Sequence, residues 1–276
     1  MFFDWSFYAV ILVAAAGADA LPDKQSPAPR VAKPMAPRPM TKEQSLLRDR
    51  LTADNIPANV SPPLRDAIEG TFSSDPIQRG KAAEAIGQIG DRAAPAAPFL
   101  IRLLTDDAKV GMRHVTVPKD IRFPPGEAIR DYDEPITVAD RAVHAIFRIG
   151  KPSVEYCATA LSTSSDAVRG RLMRILRSIK DPRAIEPIGA CLDDSNPWLR
   201  NEAVRSFVLW NDPRVVPPVI RALKDENDEV RASAVWVAGS IRDARLVRPL
   251  TEALSDKDKS VRTGAERALR KQRGHD

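Results

Sequence analysis

The residues best suited to chemistry gather between Asp106 and Pro135, where His114, Asp131, Tyr132 and Asp133 share one stretch of the chain. An imidazole, two carboxylates and a phenol could exchange protons with a bound group, as a cofactor-handling or lyase-like reaction would need. Clustering in one loop is all that supports this. The three histidines, His114, His144 and His275, belong to no HExxH or Cys/His pattern, so the sequence offers no metal-ligand set and implies no cofactor. Cys157 and Cys191 form no CxxC motif. The register derived below sets them on neighbouring helices about one turn out of step, too far apart for the roughly 7 Å between Cα atoms that a disulfide tolerates. They are expected as two free buried thiols. No residue stands out as catalytic, and the chain reads as a non-enzyme.

The strongest spacing belongs to arginine. Arg169, Arg200, Arg231 and Arg262 lie 31 residues apart, each four residues after a helix N-cap type: Ser165, Asn196, Asn227 and Asp258. Asn196-Pro197 and Asp75-Pro76 add proline at the first helical position. Counting on from each Arg, apolar residues recur at helical spacing in the columns Leu172/Ala203/Ala234/Ala265, Leu176/Phe207/Ala238/Leu269 and Ile179/Trp210/Ile241. A turn follows at Asp181-Pro182-Arg183, Asp212-Pro213-Arg214 and Asp243-Ala244-Arg245. A second helix then carries Pro187/Pro218/Pro249 near its start and turns Ile188/Val219/Leu250 and Leu192/Leu223/Leu254 inward. An Arg in a first helical turn opposes the helix dipole, so this column is expected to be structural, each Arg paired to a neighbouring turn for which Asp181, Asp212 and Asp243 are candidates.

Less regular copies run from Asp75 to Leu104 and from about Thr137 to Leu161, the latter with Ala139 in the Arg position. Residues 42–72 hold weaker helical stretches around Ser45 to Leu51 and Pro63 to Phe72, expected as an N-terminal cap to an array over 73–276. Residues 107–135 interrupt the array, and Val115–Val117 with Ile121–Phe123 could pair there as a hairpin. The fold expected is all-α, a right-handed α-α superhelix of about five helix pairs, which suits a chain with 43% apolar and only 5% aromatic residues.

The ends of the chain differ from the array. An apolar run from Trp5 to Gly17 ends in Ala18-Asp19-Ala20, so residues 1–20 read as a signal peptide; the alternative is an uncleaved membrane anchor over residues 5–20, because no Lys or Arg precedes the run. Residues 21–41 form a Pro-rich linker, with six prolines from Leu21 to Met40. A secreted, periplasmic or envelope location is expected. Losing Asp4 and Asp19 with the leader takes the net charge from +5 to +7, scattered along the chain, and no nucleic-acid partner is expected.

The segments DPIQRGKAAEAIGQIGDRAAPAAPFLIRLL, from Asp75, and NDEVRASAVWVAGSIRDARLVRPLTEALSD, from Asn227, resemble HEAT repeats of the phycobilisome-lyase type, roughly VRxxAAxALGxIGDxRAxxxLxxAL. The resemblance covers residues 73–276 apart from the insertion. It implies an α-solenoid and leaves function open, because such families include scaffolds, adaptors and a few enzymes. The paired His-Glu steps of HEAT-like metal hydroxylases are absent, and no residue can be carried over as catalytic from the bilin lyases. Lys180, Asn211 and Arg242 stand where the pattern has Gly.

A non-catalytic scaffold presenting a helical surface to a protein partner is the resulting expectation. Trp198 and Trp236 fall in columns otherwise held by Ala167, Glu229 and Ser260, and by Arg174, Arg205 and Arg267, so both are expected at the surface as contact residues. Arg221 and Arg248, in variable second-helix columns, join them as partner-binding candidates.

Overall fold

A computed structural model describes residues 51–115, 132–208 and 210–272. The expected leader, linker, first cap stretch, Val117, Ile121–Phe123, Asp131 and His275 lie outside them. The array occupies the unit Thr41–Ala108 and Thr137–Asp276, and Lys109–Ile136 belongs to a second unit.

In the array, α1 (Pro62–Gly70) precedes the helix pairs α2 (Pro76–Ile89) and α3 (Ala97–Leu103), α4 (Val138–Ile149) and α5 (Val154–Ala160), and α6 (Asp166–Ile179) and α7 (Ile185–Ala190). The pairs α8 (Pro197–Arg205) and α9 (Val216–Ala222), then α10 (Asp228–Ala238) and α11 (Val247–Ala253), lead to the single helix α12 (Lys259–Gln272). First helices pack on one another in series, and each second helix packs against the first helix of the following repeat. This is an all-α superhelix.

Local chemistry sets the helix starts. Asp75, Asn196 and Asn227 accept hydrogen bonds from the backbone two residues on, at 2.9, 3.0 and 3.0 Å, which satisfies donors that a first turn leaves unpaired. Thr137 and Asp140 close a reciprocal capping box on α4, whereas Ser165 begins α6 without a side-chain cap bond. Between the helices of each pair lies a 3-10 turn, such as Pro182–Ala184, Pro213–Val215 and Ala244–Leu246. The second helices start directly after it, so Pro187, Pro218 and Pro249 fall in first turns, where their missing N–H costs nothing.

The core follows the column read from the period: Leu176, Phe207, Ala238 and Leu269 are buried, Ile86 and Ile146 join them, and all but Phe207, just past the end of α8, lie on first helices. Ile188, Val219 and Leu250 close it from the second helices. Trp210 is buried edge-on to Phe207, with ring centroids 6.2 Å apart. Leu254 is only half-buried, since no second helix follows α12 among the described residues. Helices α2 and α4 approach so closely at Gly87 that an added Cβ would lie 2.9 Å from the Ala145 Cα.

In the second unit, β1 (Lys109–Val115) pairs with β2 (Tyr132–Thr137). This pairing joins the two ends of the insertion, and the expected strand Ile121–Phe123 lies outside the described residues.

Helix ends also explain the departures from the Gly column. Gly90 and Gly150 take φ of 73° and 70°, whereas Lys180 closes α6 at φ 52° and ψ 42° with a side chain in the left-handed region. Lys180→Gly should raise stability by about 0.5–1 kcal/mol in urea titration; a lower midpoint would show that the Lys side chain contributes more than its strained backbone costs.

Candidate interaction surface

The arginine column is the array's internal connector. Arg231, 6% exposed, sits in the first turn of α10. Its Nη1 donates to the Asp225 and Glu226 carbonyls at 2.9 and 3.0 Å, while Nε and Nη2 fork onto the Asp256 carboxylate at 2.8 and 2.9 Å. Arg200 repeats the arrangement one unit earlier, bonding the Asp194 and Ser195 carbonyls and forking onto Asp225 at 2.8 and 2.9 Å. Arg169 reaches Asp194 at 2.7 Å, and Arg79 reaches Asp106 at 2.6 Å. Arg262 bonds the Asp256 and Lys257 carbonyls. Asp194, Asp225 and Asp256 thus each take the preceding repeat's Arg on the carboxylate and give the carbonyl to the next. Its Oδ1 also accepts the backbone N–H two residues on, for Asn196, Asn227 and Asp258.

This corrects the pairing expected from sequence. Asp181, Asp212 and Asp243 turn to the Arg two residues ahead in their own turn: Arg183, Arg214 and Arg245. A turn Asp already capping residue i+2 presents its second oxygen to that residue's guanidinium, so local geometry takes it before the ladder can. The true partners, Asp194, Asp225 and Asp256, repeat with the same 31-residue spacing as the arginines, a signal present in the sequence. Asp243 is held down to about 2 by the Arg245 side chain and then by its backbone N–H. Asp181, Asp212 and Asp256 lie below the usual carboxylate range, first through Arg183, Arg214 and Arg231.

The four candidate contact residues divide between two layers. Trp198 on α8 and Trp236 on α10, 48% and 52% exposed, belong to the first-helix layer. The Trp198 ring lies across α6 at Gly170, where an added Cβ would come 2.3 Å from its Cη2, so one face of this ring is repeat packing. Trp236 carries the Arg205 guanidinium 5.7 Å from its ring centroid. Arg221 on α9 spans two repeats, bonding the Gly189 carbonyl and Asp193. Arg102 does the equivalent on α3, donating to the Thr71 carbonyl at 2.7 Å with Phe72 4.4 Å beneath it. Arg221 is therefore partly a clamp. Arg248 on α11 is 91% exposed and, among the described residues, held only by Glu252, one turn along.

Matches to the family model described as HEAT repeats cover residues 126–207 and 185–270, more than half of the chain. The chain is a HEAT-repeat protein. Its first repeat, at residues 78–106, matches the PBS lyase HEAT-like repeat. Among solved structures this HEAT-repeat chain is similar to the complex of CpcE and CpcF of phycocyanin lyase from a Nostoc species, at 19% identity, covering 63% of this chain and 97% of that one, with a TM-score of 0.46. A designed armadillo repeat protein in complex with the peptide (KR)4 is 17% identical over 77% of this chain and 100% of its own, with a TM-score of 0.42. Human deoxyhypusine hydroxylase in complex with glycerol is 18% identical over 76% and 84%, with a TM-score of 0.37. No curated protein matches the sequence.

On the hairpin, Arg113 pairs with Glu134, and His114 Nδ1 lies 2.9 Å from Asp133 Oδ1. The first is a cross-strand ion pair and the second a cross-strand hydrogen-bonding contact of an antiparallel register. Of the chemistry-bearing cluster, only His114 and Asp133 are brought together among described side chains. Cys157 and Cys191 are free and buried, and burial pushes the Cys157 thiol up to about 12.

The depressed turn and loop carboxylates stabilise the folded state above the unfolded-state value near 4, and that contribution disappears as pH falls towards 2. Melting temperature should therefore stay level between about pH 7 and 5 and fall steeply between about pH 4 and 2. A fall beginning near pH 6 would point to histidine instead.

Proposed function

We propose that this HEAT-repeat protein is a non-catalytic scaffold that holds a protein partner on its repeat surface. The observation that carries the proposal is Trp236, half-exposed on α10 with Arg205 set across its ring. The neighbouring Trp210 is consumed by the core, and the arginine relay is consumed by the loops, but Trp236 spends half its surface on water. A large amphipathic ring already oriented by a cation loses little freedom on binding and buries much apolar area, which is how interface anchors work. Trp198 extends the same layer by one repeat. Export across a membrane is part of the proposal, supported by the apolar run Trp5–Gly17 and its Ala18-Asp19-Ala20 end; anchoring by residues 5–20 is the alternative.

A second reading, a cofactor-handling or lyase-like activity, draws on the hairpin. A carboxylate 2.9 Å from an imidazole nitrogen fixes the ring's orientation, as a proton-transferring His requires. Both side chains are largely exposed, and a solvated cross-strand pair accounts for the same distance.

Crosslinking capture from native envelope, read by mass spectrometry, tests the scaffold. Trp236→Ala should reduce recovery of the specific partner at least fivefold with helicity and melting unchanged, and Trp198→Ala should reduce it with some loss of stability as its Gly170 seat empties. Undiminished recovery by both variants would remove the tryptophans from the site. Loss of turnover or ligand binding in a His114→Ala protein that still captures its partner would instead support the hairpin reading.

A further inference from the structure

The outward faces of α4 and α6 carry an unbalanced run of positive charge. Arg141, His144 and Arg148 follow one another at three- and four-residue spacing on α4, and Arg171, Arg174 and Arg177 at three-residue spacing on α6. Arginines so placed share one face of a helix, and their like charges weaken it in isolation. Glu84 bonds Arg141 at 2.8 Å, Asp107 bonds Arg171 at 2.9 Å, and Arg177 is engaged as well. Arg148 and Arg174 are exposed, and neither has an ion pair or hydrogen bond within the described residues. His144 registers the local field: burial lowers its pKa first, and Arg148 and Arg141 lower it further against a smaller opposing pull from Glu84.

Core packing does not demand this charge, since the buried columns of both helices are complete without it. Its dimensions indicate what it fits. Arg141 and Arg148 are separated by about 10 Å along α4, at 1.5 Å per residue. Packed helices lie about 8–10 Å apart, so the guanidinia of Arg148 and Arg174 form a patch only two helices wide. Carboxylates two or three residues apart on an extended chain are spaced by about 7–10 Å. A uniformly charged polyphosphate would also meet Glu84 and Asp107 at the patch edge, whereas a short acidic stretch can end before them. We propose that the first-helix face of α4 and α6 docks an acidic, carboxylate-rich segment of a protein partner, gripped by Arg148 and Arg174. This rests on the scaffold reading and names the chemistry of the partner.

The test is fluorescence anisotropy with the full chain and a labelled 12-residue peptide of alternating Glu and Gly. Binding should weaken at least tenfold between 50 and 300 mM NaCl. The double variant Arg148→Glu/Arg174→Glu should weaken it at least tenfold, Arg148→Gln/Arg174→Gln by an intermediate factor, and the exposed control Arg242→Glu by less than twofold, all with unchanged circular dichroism. The inference is overturned if the peptide does not bind, if charge reversal leaves binding unaltered, or if a 12-nucleotide single strand binds more tightly than the peptide at equal charge. Partner capture that survives charge reversal but fails with Trp236→Ala would sink this inference while leaving the scaffold intact. Capture unaffected by either change would remove both.

Discussion

A guanidinium in the first turn of an α-helix sits at the positive end of the helix dipole, where it destabilises unless something compensates. In this protein the compensation is what joins one repeat to the next. Arg79, Arg200 and Arg231 each donate to the loop carbonyls that precede their own helix and to the Asp of the loop that follows their repeat, so three segments converge on one planar ion. Arg200 and Asp225, 7% and 9% exposed, and Arg231 and Asp256 are nearly withdrawn from water. A charge so placed is tolerated only with its partner present, and breaking one such pair costs about 3–5 kcal/mol. The pairing therefore specifies how far and at what angle each repeat follows the last, something an apolar column of interchangeable Ala, Leu and Phe does less sharply.

Once that internal geometry is fixed, the outward positions are free to vary, and they do. One first-helix column runs Arg174, Arg205, Trp236 and Arg267, with no shared type imposed by packing across all four. Where the stacking does reach the surface, it shows in paired substitutions: Gly170 makes room for Trp198, and Gly264 comes so close to Val235 that an added Cβ would lie 2.9 Å from its Cγ1. Surface residues of a solenoid are thus of two kinds, those seated on the neighbouring repeat and those that meet only solvent. Trp236 and Arg248 are nearer the second kind, Trp198 and Arg221 nearer the first.

The helix-pair architecture was legible because one period of 31 residues wrote caps, core and turns in the same register, and each signal is local. The Arg–Asp connection was not, because it joins residues 25 positions apart across a repeat boundary. Short-range logic favours the turn aspartates, whose two-residue hydrogen bonds win them for Arg183, Arg214 and Arg245. The pairing of Lys109–Val115 with Tyr132–Thr137 had no signal in the sequence for the same reason, since the two strands stand far apart along the chain. Surface exposure of Trp198 and Trp236 could be read from their columns, but the seat on Gly170 could not, since it depends on the stacking of α8 against α6.

Native-state hydrogen exchange on the wild type and on Asp225→Ala tests the coupling of repeats most directly. If the relay binds them into one cooperative unit, amides of α8 and α10 in the wild type exchange with the same opening free energy. The substitution should then split them, with α10 through α12 opening about 3–5 kcal/mol more readily while α4 through α6 keep their protection. Uniform loss across the whole array, or no loss on either side of the broken pair, would contradict the relay as the element that holds repeat to repeat.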